Sequence, residues 1–439
     1  MFTKRWSKTS LLVILAVAFA CFAGAGCVCM RESAQRELVT DGPVKEAWLR
    51  FHNKGEFVSG KALTLDSAGN VYVSGRYTST VKYNSEGKRI WAAPYDRDAE
   101  AIASDSAGNV YLSGTRVVGH TGNNYDYLTS KFNKEGDLLW TESYDGSAHD
   151  CDAVTAMAVD NLGNVYVTGY SRTTTSGNDY VTMKYDTDGK TLWRSCYDGP
   201  SPHEGPYYTS NDMANALALD ASGNVYVTGG SLGVGTGYDY ATVKHDADGH
   251  QLWVERYDGS SYEDSDSAAA ILVDQLGDIY VSGDSGTIKY GENGNMKWVV
   301  ATGGAHLATD GSGNIYVIGH TITKYDRDGN EVWSINADTP IAAATVDASG
   351  SIYVAGDSCS IAKYDSGGLK AWSVKYKGGR DGYSSGHFNA IAVDASGGVY
   401  VTGSVLLAVG STGLIDTDTY PYNAFAVGKY TDDVSEQAP

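Results

Sequence analysis

Residues 220–229 read Asp-Ala-Ser-Gly-Asn-Val-Tyr-Val-Thr-Gly, and the chain writes this stretch eight times with small changes. The first half, Asp-x-x-Gly-Asn, offers a carboxylate able to cap backbone amides two residues on and a glycine for the positive φ of a tight turn. The second half alternates β-branched and aromatic residues with period two, the pattern of a strand. The central tyrosines are Tyr72, Tyr111, Tyr166, Tyr226, Tyr280, Tyr316, Tyr353 and Tyr400, spaced 36 to 60 residues apart. A fixed unit at uneven spacing is what a repeat array gives when the loops on one face are elaborated, so the 439 residues read as one large closed array rather than two or three domains.

A second element recurs with the first, most fully as Leu252-Trp253-Val254-Glu255-Arg256-Tyr257. Alignment of the copies gives four strands per repeat: an Ala-rich strand (216–219), the Val-Tyr-Val-Thr strand (225–228), a third (241–244) and one carrying Trp253. Four short antiparallel strands in a repeat of this length describe a blade of an all-β propeller. Crossing from the outermost strand of one blade to the innermost of the next spans roughly 14 Å, three gaps of about 4.8 Å, which no two-residue hairpin bridges. Only the link from the Trp strand to the Ala-rich strand is never tight, so it joins blades, and the Ala-rich strand is innermost. The last repeat lacks a Trp strand, while the stretch around Trp48 is a Trp strand without a blade before it. The expected fold is therefore an eight-bladed β-propeller of four-stranded antiparallel blades, its ring closed by the Trp48 strand. The other blade tryptophans are Trp91, Trp140, Trp193, Trp253, Trp298, Trp333 and Trp372. Closure removes the exposed edges of an open array.

These repeats resemble the bacterial SBBP β-propeller family, whose units read like Ala-Ile-Ala-Val-Asp-x-x-Gly-Asn-Val-Tyr-Val-Thr-Gly; residues 390–403 match nearly throughout, and the likeness extends over about 44–430. It implies the fold and an exported or surface location, and supplies no substrate. Tyr185-Asp186-x-Asp188-Gly189-x-x-x-Trp193 also resembles the tryptophan-docking repeat of quinoprotein dehydrogenases and of the propeller lipoprotein in the outer-membrane β-barrel assembly machinery. Quinoproteins use adjacent cysteines, which this chain lacks, so no quinone is expected. Asp186-Thr187-Asp188-Gly189 and its relatives invite calcium, but the twelve-residue loop with a distal Glu is missing and Asp-Gly suits hairpins, so they read as turns. No cofactor and no metal site is expected from the motifs, and no nucleophile elbow, zinc-binding His pair or phosphate-cradling loop is present.

The N-terminus has Lys4, Arg5 and Lys8, an apolar run over 11–20 and small residues before Cys27, the layout of an export signal too short to span a bilayer. Gly26-Cys27 resembles the lipobox after which a cysteine is lipidated, with Gly24 where an aliphatic is preferred. The expected organisation is a signal peptide at 1–26, a tether at 27–43, the propeller at 44–430 and a C-terminal tail at 431–439. The membrane is met only through a lipid on Cys27, at the cell envelope or outer surface. A formal charge of −20 repels phosphate backbones and argues against nucleic acid. Cys29, Cys151, Cys196 and Cys359 show no zinc spacing; a Cys151–Cys196 disulfide is open.

Antiparallel order sends the one-to-two and three-to-four turns to one face, where they are uniform, and the two-to-three and inter-blade loops to the other, where they are long (116–125, 200–213 and 404–422). Length spent on one face of a rigid scaffold points to recognition there. Asp152, Asp212 and Asp266 each stand eight residues before the turn Asp of their blade, placing them on one arc of the channel mouth, either as ligand groups or as caps on the first strand. Around them in sequence are His149, Asp150, His203, Glu204, Tyr207, Tyr208, Tyr262, Glu263, Arg380, Tyr383 and His387. The expected function is a monomeric binding or scaffold module for a protein or glycan. The alternative is a propeller enzyme, a polysaccharide lyase or hydrolase with acids at the mouth; the lack of a compact catalytic motif favours binding, and no catalytic residue is assigned.

Overall fold

The computed structural model describes residues 37–55, 59–76, 79–93, 98–118, 124–174, 176–200, 210–259, 266–377, 386–407 and 422–432. Among them are 33 strands and no helix. The repeating unit is clearest in Ser210–Leu219, Val225–Leu232, Tyr238–His245 and Gln251–Tyr257, each antiparallel to the next. Sheets of the same order span 59–93, 98–144, 152–197, 268–300, 306–336 and 341–377. In the sheet of Gly386–Val393, Val399–Leu407 and Tyr422–Asp432, the fourth strand is Val44–Gly55 from the other end of the chain, with Trp48 opposite Lys429.

Period-two alternation decides how the sheets stack. The middle strands are buried on both faces, whereas the Trp strands are half exposed. Val225 and Val227 pack back on Tyr166 of the preceding sheet, and Tyr226 points forward onto Ile279 and Val281 of the next. Each tyrosine also ties itself to its turn. Asp220 accepts the amides of Ser222 (2.8 Å) and Asn224 (2.9 Å) on one oxygen, and the Asn224 side chain (2.6 Å) and the Tyr226 hydroxyl (3.0 Å) on the other.

The tryptophans join one sheet to the next. Trp193 donates its indole N–H to the carbonyl of Ala247 (3.0 Å), in the three-to-four turn of the following sheet, and Lys184 donates to the same oxygen (3.1 Å). Paired donors likewise meet on Lys134, Thr187, Glu292, Arg327 and Ser366. Gly249, at φ 88°, lies flat beneath the Trp193 ring; a Cβ there would sit 2.6 Å from Cδ2. Trp48 makes the same bond to Ser85 (3.0 Å), and Trp372 uses the Asp432 carboxylate instead (2.7 Å).

Two features depart from the sequence reading. Glu37–Asp41, inside the expected tether, is a fifth strand on the outer edge of the 341–377 sheet, because Leu38 finds an apolar cluster and Asp41 pairs with Lys370 (3.1 Å). The expected 431–439 tail begins as strand through Asp432.

His245 stands in a buried row where neighbouring sheets have Tyr185 and Tyr290. It is 2% exposed, and neither ring nitrogen has a hydrogen-bond partner. Burial pushes its pKa down to about 4 against the opposing Asp246 carboxylate. The unfolded chain takes up this proton near pH 6.5 and the fold only near pH 4, so stability is complete above about pH 6.5. It declines as pH falls toward 4, by on the order of 3 kcal/mol. Thermal melts should therefore show His245→Tyr losing less stability than the parent between about pH 7 and pH 4.5; parallel losses would contradict this account of His245.

Candidate functional site

The two ends of the sheets differ in construction. At one end every described repeat turn is closed by the same pair of backbone hydrogen bonds, as in Gly223 to Asp220 and Asp220 to Asn224. Asp186 is part of this pattern, accepting the amides of Asp188 and Lys190 at 2.9 Å each. The other end is uneven. The two-to-three connection is a tight turn at Gly283–Gly286, Gly319–Thr321 and Asp357–Ser360, but in four other sheets the ladder runs on to Val118–Asn124, Arg172–Asn178, Leu232–Tyr238 and Leu407–Tyr422. The described ends of the expected loops, 116–118, 124–125, 210–213 and 404–407, are thus strand, since pairing satisfies backbone groups that a bare loop would leave to water.

The three aspartates singled out by spacing lie at this end, turned inward. Asp152, Asp212 and Asp266 are at most 2% exposed. Each carboxylate reaches the amide of a glycine that follows the preceding Trp strand: Gly146 (2.5 Å), Gly199 (2.7 Å) and Gly259 (2.8 Å). Asp212 also accepts the Leu232 amide (3.2 Å), and Asp266 the Ser285 hydroxyl. They bind the inter-sheet link to the first strand. A Cβ at Gly146 would lie 2.7 Å from Asp152 Oδ1, so only glycine admits this approach. Burial holds the Asp152 carboxyl above the usual range, against the pull of its hydrogen bonds.

Other aspartates, not anticipated, gather with them. Asp126, Asp145 and Asp152 each offer a carboxylate oxygen within 4.8 Å of the other two, as do Asp179, Asp198 and Asp212. The signal was present as a repeated Asp-Tyr opening the third strand (126–127, 179–180 and 239–240) and a repeated Tyr-Asp-Gly closing the fourth (144–146, 197–199 and 257–259). Register brings these together, and register is not visible in a linear reading. Asp239 is joined by Arg256 (2.7 Å), which also donates to Tyr197 (2.9 Å) and Ser231.

His149 is exposed, with φ 50°, and its Nδ1 lies 2.7 Å from Asp145 Oδ2. That contact and the surrounding carboxylates raise its pKa. Asp150 pairs with Arg172 (3.4 Å). His387 is exposed, 3.3 Å from the Ser404 hydroxyl, and bridges Asp357 through the backbone. His203, Glu204, Tyr207, Tyr208, Tyr262, Glu263, Arg380, Tyr383 and Cys27 lie outside the described residues. Cys151 and Cys196 are not joined in a disulfide. An open depression bounded by Arg50, Phe51, Tyr83 and Lys88 sits at the opposite, regular end.

Among solved structures, BamB from Moraxella catarrhalis superposes with a TM-score of 0.52 at 13% identity, over 88% of this chain and 100% of that one. The C-terminal WD40 domain of Sif2 gives 0.53 at 11% identity, over 87% and 98%. At these identities the likeness carries the fold alone. No curated protein sequence matches the chain. Residues 151–173, from Cys151 through the strand of Tyr166, match the SBBP β-propeller repeat, and the chain has an all-β propeller fold.

Proposed function

We propose that this propeller is a binding or scaffold module that recognises a protein or glycan through its uneven end, from an exported, lipid-anchored position at the cell envelope. One observation carries the reading: hairpins and links vary at that end while the turns at the other repeat one hydrogen-bond pattern. A rigid scaffold that varies only one end concentrates recognition there. The scaffold is an eight-bladed ring. Supporting closure, the Trp48 strand pairs with the last sheet while its indole reaches Ser85 of the first, and Asn389 donates to Ser59 (2.9 Å) and Gly60 (2.7 Å). Asp152, Asp212 and Asp266 organise the links from within, and His203, Tyr207, Tyr208, Arg380 and Tyr383 supply contact groups. Anchoring rests on the signal-like leader ending at Cys27.

On a glycan array probed with the chain from residue 28, the combined change His203→Ala, Tyr207→Ala and Tyr208→Ala should lower the captured signal by about tenfold or more, as losing a few central contacts does. Asp328→Ser, in a three-to-four turn, should leave capture intact. Loss of capture in Asp328→Ser alone would move the site to the regular end.

Metabolic labelling with a fatty-acid analogue should mark the native chain and fail for Cys27→Ala. Unchanged labelling in that variant would relocate the anchor, with Cys21 the nearest cysteine.

A further inference from the structure

We infer that Asp126, Asp145 and Asp152 form a binding site for a hard divalent cation of the calcium type, set between the 98–144 sheet and the first strand of the next. The inference stands apart from the recognition reading and needs no ligand at that face.

Three carboxylates with oxygens within 4.8 Å of one another repel strongly where water is excluded, and two of them are buried: Asp126 is 3% exposed and Asp152 is fully buried. The groups around them neutralise only part of this charge. Arg116 bonds Asp126 Oδ2 (2.6 Å), the Gly146 amide bonds Asp152 Oδ2 (2.5 Å) and His149 bonds Asp145 Oδ2 (2.7 Å). That leaves Oδ1 of Asp126 and Oδ1 of Asp152 buried without a well-formed hydrogen bond, although the Ser171 hydroxyl and the Arg172 amide lie close enough to Asp152 to favour its ionised form. A buried carboxylate oxygen without a well-formed hydrogen bond is costly, and two in one cluster of like charge call for a positive ion to complete them.

The donor set suits calcium: an all-oxygen, carboxylate-rich shell is what this hard cation takes, in flexible geometry, whereas magnesium demands a stricter octahedron and gives up its waters reluctantly. The remaining positions would fall to water and loop carbonyls. A cation there would clamp the link carrying Gly146 to the strands on both sides of it. With three protein carboxylates and no bidentate glutamate, affinity should be modest, a dissociation constant on the order of 10⁻⁴–10⁻³ M.

The test uses terbium as a luminescent substitute for calcium, excited through Tyr127 and Tyr144, whose rings lie 5.5 Å apart and whose hydroxyls feel the Asp152 charge. The full chain should show saturable terbium emission that calcium displaces. Asp145→Asn, at an exposed position, should weaken displacement by about tenfold or more, the loss expected of one charged ligand. That variant should melt like the parent in a chelator, which separates binding from folding. Asp198→Asn, in the second cluster, should bind like the parent. Absence of saturable emission, parental binding by Asp145→Asn, or loss of binding in Asp198→Asn alone would each overturn the assignment.

Discussion

The structure depends on one contact made again and again: an indole from one sheet lying on a glycine in the next, its N–H on the carbonyl two residues before that glycine. Trp91 on Gly136, Trp140 on Gly189, Trp193 on Gly249 and Trp298 on Gly329 are copies of it. Each indole hydrogen bond is worth about 1 kcal/mol, and repetition rather than strength makes it decisive. The glycine must hold positive φ for the turn and must lack a side chain for the ring, so turn chemistry and sheet stacking are the same requirement.

A lysine strengthens each joint. Lys244 lies 5.0 Å from the Tyr226 ring centre, and its ammonium shares the Glu292 carbonyl with Trp253. The stem is buried along the aromatic face while the charge meets a carbonyl and a ring, the way a lysine can be 4% exposed without an uncompensated charge. The tyrosine that receives the lysine also reaches the turn aspartate of its own sheet, so turn, strand and neighbouring sheet are coupled through Tyr226 and its equivalents. With regular contacts fixed at this end, variation is confined to the other.

Much of this was legible in the linear sequence. Asp-x-x-Gly-Asn before Val-Tyr-Val-Thr announces its turn and strand because both signals are local, and the tryptophans mark the outer strands because they recur four residues after a turn glycine. The phase of the repeat followed from chain reach, and the Val44–Gly55 strand does pair with Tyr422–Asp432. What escaped was non-local. Asp126 and Asp145 meet Asp152 through register across three strands, and nothing in their separate neighbourhoods announces that. The strand at Glu37–Asp41 escaped because it is short and the strand it pairs with, at 373–377, lies more than three hundred residues away. His245 escaped because it substitutes for an aromatic without disturbing the period-two pattern. The spacing of Asp152, Asp212 and Asp266 located one end of the sheets, but spacing cannot tell a carboxylate facing solvent from one folded back on a glycine amide.

The central claim is that these joints run continuously around a ring, with the Val44–Gly55 strand supplying the last sheet's indole. The most direct measurement compares thermal unfolding of a chain beginning at residue 28 with one beginning at residue 52. Removing Trp48 strips the last sheet of its outer strand and breaks its joint to Gly87, so the shorter chain should melt at a lower temperature over a broader range, or aggregate through the open edge. A cooperative transition at the same temperature in both chains would contradict a closed ring.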